Sequence, residues 1–149
     1  KHLKSKMKHR EIKFRFWDAK TNIMLFESED WSCGLNEAFE VMIRQYDLIP
    51  LQYTGLKDNK RTKEFPNGQE IYEGDILTWV RENREKTQKE IFKYIVVFEE
   101  GSFVCNHAFE EYGRWGLLSR AFDSDLQNLG KIEIIGNIYE NSNLITQTK

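Results

Sequence analysis

Few side chains in this sequence could act as nucleophile or base. Its histidines are His2, His9 and His107, and its cysteines are Cys33 and Cys105. Because Cys105 and His107 are two positions apart, a strand would place both on one face, as a thiol and its general base require. A buried thiol beside a boundary histidine explains the same spacing without catalysis, and we favour that interpretation.

Closely spaced carboxylates are the other candidates for chemistry. They occur at residues 73–75 (EGD), 110–111 (EE) and 123–125 (DSD). Paired carboxylates can bind Mg²⁺ for phosphodiester hydrolysis or divide acid and base roles. A turn into a strand or a capped turn accounts for these pairs more simply, so we predict no resident metal. A metal-dependent nuclease or phosphodiesterase that uses scattered carboxylates, among them Asp75 and Asp123, stays as an alternative function.

Motifs with a known catalytic mechanism are absent from the sequence. It contains no phosphate-binding P-loop, no GxGxxG fingerprint, no HExxH zinc motif and no GxSxG nucleophile elbow. We therefore predict no cofactor and favour a protein that is not an enzyme. The cysteines lack metal-binding spacing, and two reduced thiols in a cytoplasmic protein are the favoured interpretation.

Basic residues cluster in two stretches, although the chain as a whole is slightly acidic. Lys and Arg number 22 against 24 Asp and Glu, a formal net charge of −2, which argues against a general polyanion-binding protein. The clusters lie at residues 57–63 and 81–93, and the second alternates in sign as solvated loops do. Beside aromatic rings, basic residues can bind nucleic acid, so a nucleic-acid-binding β-barrel module is a further alternative. Its contact residues would be Lys57, Lys60, Arg61 and Lys63, together with the basic residues of the stretch 81–93.

A mainly β domain must position these side chains. The chain of 149 residues has the length of one domain, which we assign to residues 7–149, with residues 1–6 as a tag or disordered leader. No apolar run approaches the roughly 20 residues that span a bilayer, so we expect no membrane partner. Short, glycine-punctuated segments rich in Ile, Val, Phe, Tyr and Trp predict a small barrel or curled antiparallel sheet.

Periodicity predicts the individual elements. Alternation at residues 12–17 and an apolar run at 23–26 predict an opening hairpin. Apolar residues at helical spacing predict one main helix over residues 35–46, lying on the sheet. Further strands are expected at residues 75–80, 91–98, 103–105 and 132–139. Residues 81–90 contain no apolar side chain and are expected to form a solvated loop.

The aromatic content predicts self-association. Phe, Tyr and Trp make up 13% of the chain. Trp17 falls on the polar side of the first predicted strand, so a two-sided sheet would expose it, and Trp31, Tyr112 and Trp115 lie beside glycines or in loops. Exposed aromatic rings are favoured at protein contacts, and we therefore expect a homo-oligomer. Loops that fold back over these rings are the alternative.

Four stretches of the sequence, taken together, carry a family resemblance. In chain order they are residues 10–18 (REIKFRFWD), 52–58 (QYTGLKD), 67–76 (NGQEIYEGDI) and 135–141 (IGNIYEN). The chain resembles the YopX-like proteins of phages and prophages over residues 7–145, with a longer stretch at residues 59–66 than the family pattern has there. The resemblance implies a mainly β fold and a phage origin, and it implies no reaction.

These signature stretches also have a physical interpretation. Asn67 and Gly68 suit a tight turn, and Gly74 suits the entry into a strand. Fold specification accounts for most of the signature, and ligand binding is the alternative role for Tyr53, Tyr72, Glu73 and Asp75. The favoured function is a small, non-catalytic accessory protein that binds another macromolecule. A host or phage protein is the favoured partner, and nucleic acid is the alternative.

Overall fold

The computed structural model describes residues 11–26, 35–82, 88–108, 114–122 and 130–146. This part of the chain is 52% strand and 12% helix, and its strands form two antiparallel sheets. One of the two sheets is curled into a half-barrel. The mainly β fold expected from the sequence is therefore confirmed.

The first sheet has four strands in the order β2-β1-β3-β4. Their bounds are Phe14–Asp18 (β1), Ile23–Phe26 (β2), Ile49–Lys57 (β3) and Glu70–Tyr72 (β4). β1 and β2 form the predicted opening hairpin, with Arg15 opposite Phe26 and Asp18 opposite Ile23. This pairing puts the alternating residues of β1 on two faces of the sheet.

β3 is a strand that periodicity did not predict, because Pro50 and Gly55 interrupt it. Pro50 lies opposite Phe16 of β1, and β4 pairs only with the later part of β3, from Tyr53 to Lys57. A proline is tolerated where a strand has a neighbour on one side only, since no ladder N–H is missing there. The β3–β4 register shifts between Tyr53 and Lys57, where Gly55 adopts a positive φ.

The second sheet has five strands in the order β8-β7-β6-β5-β9. Their bounds are Asp75–Glu82 (β5), Lys89–Glu99 (β6), Ser102–His107 (β7), Arg114–Leu117 (β8) and Gly130–Asn137 (β9). The four predicted strands are present, although residues 138–140 form a turn. The solvated loop predicted over residues 81–90 is wrong at both ends, because β5 and β6 extend their pairing to Glu82 and Lys89. In this register Arg81 faces Glu90 and Glu82 faces Lys89, and such pairs of unlike charge stabilise neighbouring strands.

The main helix, α1, spans Leu35–Arg44 and confirms the predicted helix with an earlier end. Tyr46 lies beyond it and is 53% exposed. Met42 and Ile43 are half-buried, whereas the packing of α1 on the sheet stays a prediction. A short helix, α2, spans Leu118–Ala121, and a 3-10 turn spans Ser142–Leu144. None of the helices in the described ranges is long and apolar enough to cross a membrane.

The main core is built mostly from strands of the second sheet, with residues of α2 and β4. Its buried residues are Ile71, Leu77, Tyr94, Val96, Cys105, Leu118, Ala121 and Ile132. Ile71 belongs to β4 of the first sheet, so the two sheets share this core. Burial of aliphatic side chains of this kind contributes about 1.5–3 kcal/mol each.

Trp17 is buried, which corrects the expectation that the polar side of β1 exposes it. The side chain is 6% exposed and stacks on Tyr139, with ring centroids 5.5 Å apart. Tyr139 belongs to the turn after β9, and this turn folds back over the ring. Trp31 and Tyr112 lie outside the described residues. Homo-oligomerisation stays a prediction, but Trp17 no longer supports it.

Candidate functional site

A buried ion pair joins the two sheets. Arg15 of β1 and Asp75 of β5 are 6% and 1% exposed, and Arg15 Nη2 lies 2.5 Å from Asp75 Oδ1. The backbone N–H of Tyr72 donates to Asp75 Oδ2 at 2.7 Å. Arg15 Nη2 also lies 3.3 Å from the carbonyl oxygen of Glu73. Both carboxylate oxygens of Asp75 are thereby engaged within the fold.

Burial dominates the electrostatics of this pair. It raises the pKa of Asp75 to about 6, although Arg15 and the Tyr72 N–H oppose the shift. Arg15 Nε is also buried, and no described residue accepts a hydrogen bond from it. Removing either partner would leave an uncompensated charge in the interior, which is strongly destabilising.

A second charged group lies beside this pair, where Lys13 and Glu70 meet two tyrosines. Lys13 Nζ lies 2.5 Å from Glu70 Oε1 and 4.6 Å from the centroid of the Tyr53 ring. Tyr72 donates its hydroxyl hydrogen to Glu70 Oε2 at 3.1 Å, and its ring lies 4.8 Å from the Arg15 guanidinium. The rings of Tyr53 and Tyr72 are 5.4 Å apart. Burial, with the charge of Glu70 adding to it, raises the pKa of Tyr53.

The turn between β4 and β5 is fixed by Glu73 and Gly74. Gln52 N donates to Glu73 Oε2 at 3.2 Å, and Glu73 N donates to the Gln52 carbonyl at 3.0 Å. Gly74 has φ +79°, and a Cβ at this position would lie 3.2 Å from the Tyr139 ring. The turn therefore needs glycine for its backbone angle and for the close approach of Tyr139.

Asn137 holds Tyr139 in this position. It is 6% exposed, and its Oδ1 accepts hydrogen bonds from the backbone N–H groups of Tyr139 and Glu140 at 3.1 and 2.9 Å. Its Nδ2 donates to Glu140 Oε2 at 2.6 Å. An asparagine that bonds the backbone two residues on forms an Asx turn. This turn carries Tyr139 back over Trp17 and Gly74.

The structure thus brings together the four residues for which the sequence allowed a ligand-binding role. They are Tyr53, Tyr72, Glu73 and Asp75. Tyr53 and Tyr72 are 4% and 6% exposed, and the polar groups described above bond to other parts of the fold. This arrangement favours fold specification, and the ligand-binding role stays a prediction.

A second buried acid, Asp58, closes the free edge of the second sheet. It is 1% exposed, and its oxygens accept hydrogen bonds from Gln69 N at 2.8 Å and Ile134 N at 3.1 Å. Asn59 and Ile132 exchange two further hydrogen bonds. Asn59 N donates to the Ile132 carbonyl at 2.8 Å, and Ile132 N donates to Asn59 Oδ1 at 3.0 Å. An unpaired edge strand is a template for wrong pairing, and these two residues cover the outer edge of β9.

The predicted nucleic-acid contacts lie on and beside the loop that follows β3. Lys57, Lys60, Arg61 and Lys63 are all exposed. Arg61 is engaged in the loop itself, because its Nη1 donates to the carbonyl oxygens of Asp58 at 2.7 Å and Lys60 at 3.2 Å. Residues 83–87 of the second basic cluster lie outside the described residues. Nucleic-acid binding stays a prediction.

The spacing of Cys105 and His107 places both on one face of β7, the face on which Tyr94 lies, as expected. Cys105 is 1% exposed, and burial raises the pKa of its thiol to about 12. A nucleophilic cysteine needs a lowered pKa, so this thiol is unsuited to attack. His107 packs edge-on against the Tyr94 ring at 5.4 Å. The interpretation as a buried thiol is therefore the better one.

Carboxylates do not converge on a common point in the described part of the chain. No three His, Cys, Asp or Glu side chains lie close enough there to hold a metal ion. The acidic pairs at residues 110–111 and 123–125 lie outside the described residues. The EGD stretch forms the predicted turn, and its Asp75 carboxylate has no free oxygen.

Sequence reasoning missed three of the buried polar residues that organise this junction: Arg15, Asp58 and Asn137. Arg15 was placed on the polar side of an alternating strand, Asp58 was counted only as the acid within a basic cluster, and Asn137 lay inside a predicted strand. The available signal was that each of the three lies inside one of the signature stretches.

The four signature stretches meet at this junction between the sheets. They supply Arg15, Asp58, Asp75 and Asn137 in turn, and these are the buried polar and charged residues of the described chain. The family model described as YopX protein matches residues 13–146. The chain belongs to the YopX protein family. In this YopX protein the signature builds the connection between the five-stranded and the four-stranded sheet.

One solved structure shows the same fold. The crystal structure of protein EF1440 from Enterococcus faecalis superposes with a TM-score of 0.53 at 22% sequence identity. The match covers 93% of this YopX protein and 100% of that chain. No curated protein matches the sequence.

Proposed function

We propose that this protein is a phage- or prophage-encoded accessory protein that binds another macromolecule in the bacterial cytoplasm and catalyses no reaction alone. The observation that carries the proposal is the engagement of its charged signature residues inside the fold. The signature resemblance supports the phage origin. The free, buried thiol of Cys105 suits a reducing compartment.

The buried acids argue against hydrolysis of a phosphodiester by this chain. A general base or a metal ligand must reach the substrate or the ion with a free oxygen. Asp75 and Asp58 are each 1% exposed, and each has both oxygens in hydrogen bonds to protein groups. Glu70 likewise bonds Lys13 with one oxygen and Tyr72 with the other. The engagement of these three carboxylates within the fold supports binding, rather than hydrolysis, as the function.

A cleavage assay tests the non-catalytic part of the proposal. Purified protein is incubated with Mg²⁺ or Mn²⁺ and end-labelled DNA or RNA. We expect no cleavage above a no-protein control. Metal-dependent cleavage that is lost in Asp75→Asn or Asp123→Asn, while circular dichroism shows a folded variant, would favour the nuclease instead.

Affinity purification from phage-infected bacteria tests the binding part. We expect a phage or host protein to be retained at constant stoichiometry through a salt wash. Light scattering on the same tag-free protein tests self-association. A mass above the monomer value of 17.8 kDa that rises with concentration supports the homo-oligomer, and a constant monomer mass contradicts it.

A further inference from the structure

The loop between β3 and β4 is held rigidly by its own hydrogen bonds. We call residues 57–69 the lysine loop. Asp58 and Gln69 exchange two bonds across its base, from Asp58 N to the Gln69 carbonyl at 2.9 Å and from Gln69 N to Asp58 Oδ1 at 2.8 Å. The backbone of Gly68 packs closely against Asp58 at this base, since a Cβ on Gly68 would lie 2.3 Å from the Asp58 carbonyl oxygen. The hydrogen bonds between Asn59 and Ile132 attach the loop to β9 of the second sheet.

The surface of the lysine loop carries positive charge without partners. Lys57, Lys60 and Lys63 are exposed, and no acidic side chain of the described residues forms an ion pair with them. The acids nearby are engaged elsewhere, because Asp58 points inward and Glu70 pairs with Lys13. Lys131 is also exposed and precedes Ile132, which bonds to Asn59, so β9 adds a cation beside the loop. Glu64 is the exposed acid of the loop.

The lysine loop also carries a partly exposed aromatic ring. Phe65 is 36% exposed and follows Lys63 by two positions. Its backbone is fixed by three hydrogen bonds: Phe65 N to Thr62 Oγ1 at 2.9 Å, and Thr62 N and Gly68 N to the Phe65 carbonyl, each at 3.2 Å. Because the backbone of the loop is already held, a ligand that binds there has little backbone entropy left to remove.

We propose that the lysine loop binds single-stranded nucleic acid, with Lys57, Lys60, Lys63 and Lys131 contacting phosphates and Phe65 stacking on a base. Ammonium groups without internal partners attract a polyanion, and an exposed ring needs an unpaired base face to stack on. The aromatic ring therefore favours single strands over duplex. Arg61 is a positioning residue, since its guanidinium holds the Asp58 carbonyl. This inference rests on the proposed function and names the partner class.

Fluorescence anisotropy of the full chain with a labelled single strand of about 20 nucleotides tests the proposal. We expect binding that weakens steeply between about 50 and 200 mM salt. Lys60→Glu and Lys63→Glu should each weaken it by about tenfold and reduce the salt slope by about one. Lys20→Glu makes the same charge change in the exposed β1–β2 turn and should leave the affinity unchanged.

Phe65→Ala separates stacking from charge. The variant should lose about fivefold or more in affinity for the single strand and should bind a duplex of the same length as the wild type does. Near-ultraviolet circular dichroism of each variant confirms that the fold is kept. An equal loss on both substrates would remove stacking from the proposal.

Three results would overturn the inference. They are no binding at about 50 mM salt, equal weakening by Lys20→Glu and Lys60→Glu, and polyglutamate binding as tight as that of the oligonucleotide. The last result would assign the surface to an acidic polypeptide. Capture of a protein partner from infected cells by a chain that binds no oligonucleotide would contradict this inference alone and leave the proposed function standing.

Discussion

Replacing Arg15 with methionine is expected to destabilise the protein strongly at neutral pH and much less in mild acid. Methionine keeps an unbranched apolar stem of similar length but leaves Asp75 without its cation. Breaking a buried ion pair on one side costs about 3–5 kcal/mol. We expect a loss of that size in the free energy of unfolding of Arg15→Met near pH 7.5.

The pH dependence follows from the raised pKa of Asp75. Burial raises it from 3.8 to about 6 in the folded wild type, so the folded state keeps this proton to higher pH than the unfolded chain does. The contribution of Asp75 to stability is therefore full below about pH 3.8 and falls by about 3 kcal/mol as the pH rises through 6, at 1.36 kcal/mol per pKa unit. Without Arg15 the pKa rises further. The deficit of Arg15→Met should shrink at about pH 5, where Asp75 is protonated in the folded variant.

Urea unfolding followed by tryptophan fluorescence measures these differences, because Trp17 is buried in the folded state. The double variant Arg15→Met/Asp75→Asn removes both charges and should recover most of the stability lost in Arg15→Met. Asp75→Asn in the wild-type background should abolish the fall in stability between about pH 4 and 6. A loss below about 1 kcal/mol at both pH values, or a double variant as unstable as the single one, would refute the role of the pair.

Three further predictions concern the lysine loop and the core. Gly68→Ala should lower the free energy of unfolding by about 1–3 kcal/mol in thermal unfolding, because the new Cβ would lie 2.3 Å from the Asp58 carbonyl oxygen. Gly55→Ala is the control, since the space around Gly55 is open, and it should lower the free energy of unfolding by less. Equal losses in the two variants would contradict the role of the Gly68 contact. Asp58→Asn should lower the free energy of unfolding by about 1–3 kcal/mol and speed hydrogen exchange at the Ile134 amide, which donates to the Asp58 carboxylate. Unchanged exchange at Ile134 would show that the edge of β9 does not depend on Asp58. Cys105 should resist alkylation at about pH 8 in the folded protein and react after unfolding, because burial raises the pKa of its thiol. Peptide-level mass spectrometry measures the labelling, and rapid labelling of the folded protein would contradict the raised pKa.

The elements that the sequence predicted well are those with unbroken periodicity. β1 alternates, β2 is a continuous apolar run and α1 carries a helical stripe, so all three were located from pattern alone. β3 was missed because Pro50 and Gly55 break its pattern, although each is tolerated where it stands. Their tolerance depends on which strand lies alongside, and that is a property of the tertiary arrangement rather than of the local sequence.

The candidate site was located in part for the same reason. The third signature stretch marked Tyr72, Glu73 and Asp75 as special, but their partners lie far along the chain. Arg15 is on a different strand from Asp75, and the burial of Trp17 depends on Tyr139 from the turn after the last strand. A strand's alternation shows which residues share a face. It does not show whether that face is covered, so Trp17 was expected to be exposed.

Amide chemical-shift mapping during titration with single-stranded nucleic acid reports which part of the surface the ligand touches. We have proposed a binding surface on the lysine loop that is separate from the scaffold built by the signature residues. We therefore expect shifts at residues 57–65 and at Lys131, with the amides of Arg15, Tyr72 and Asp75 unchanged. Shifts centred on Arg15, Tyr72 and Asp75, with the lysine loop unaffected, would contradict this proposal and make the signature cluster the binding site.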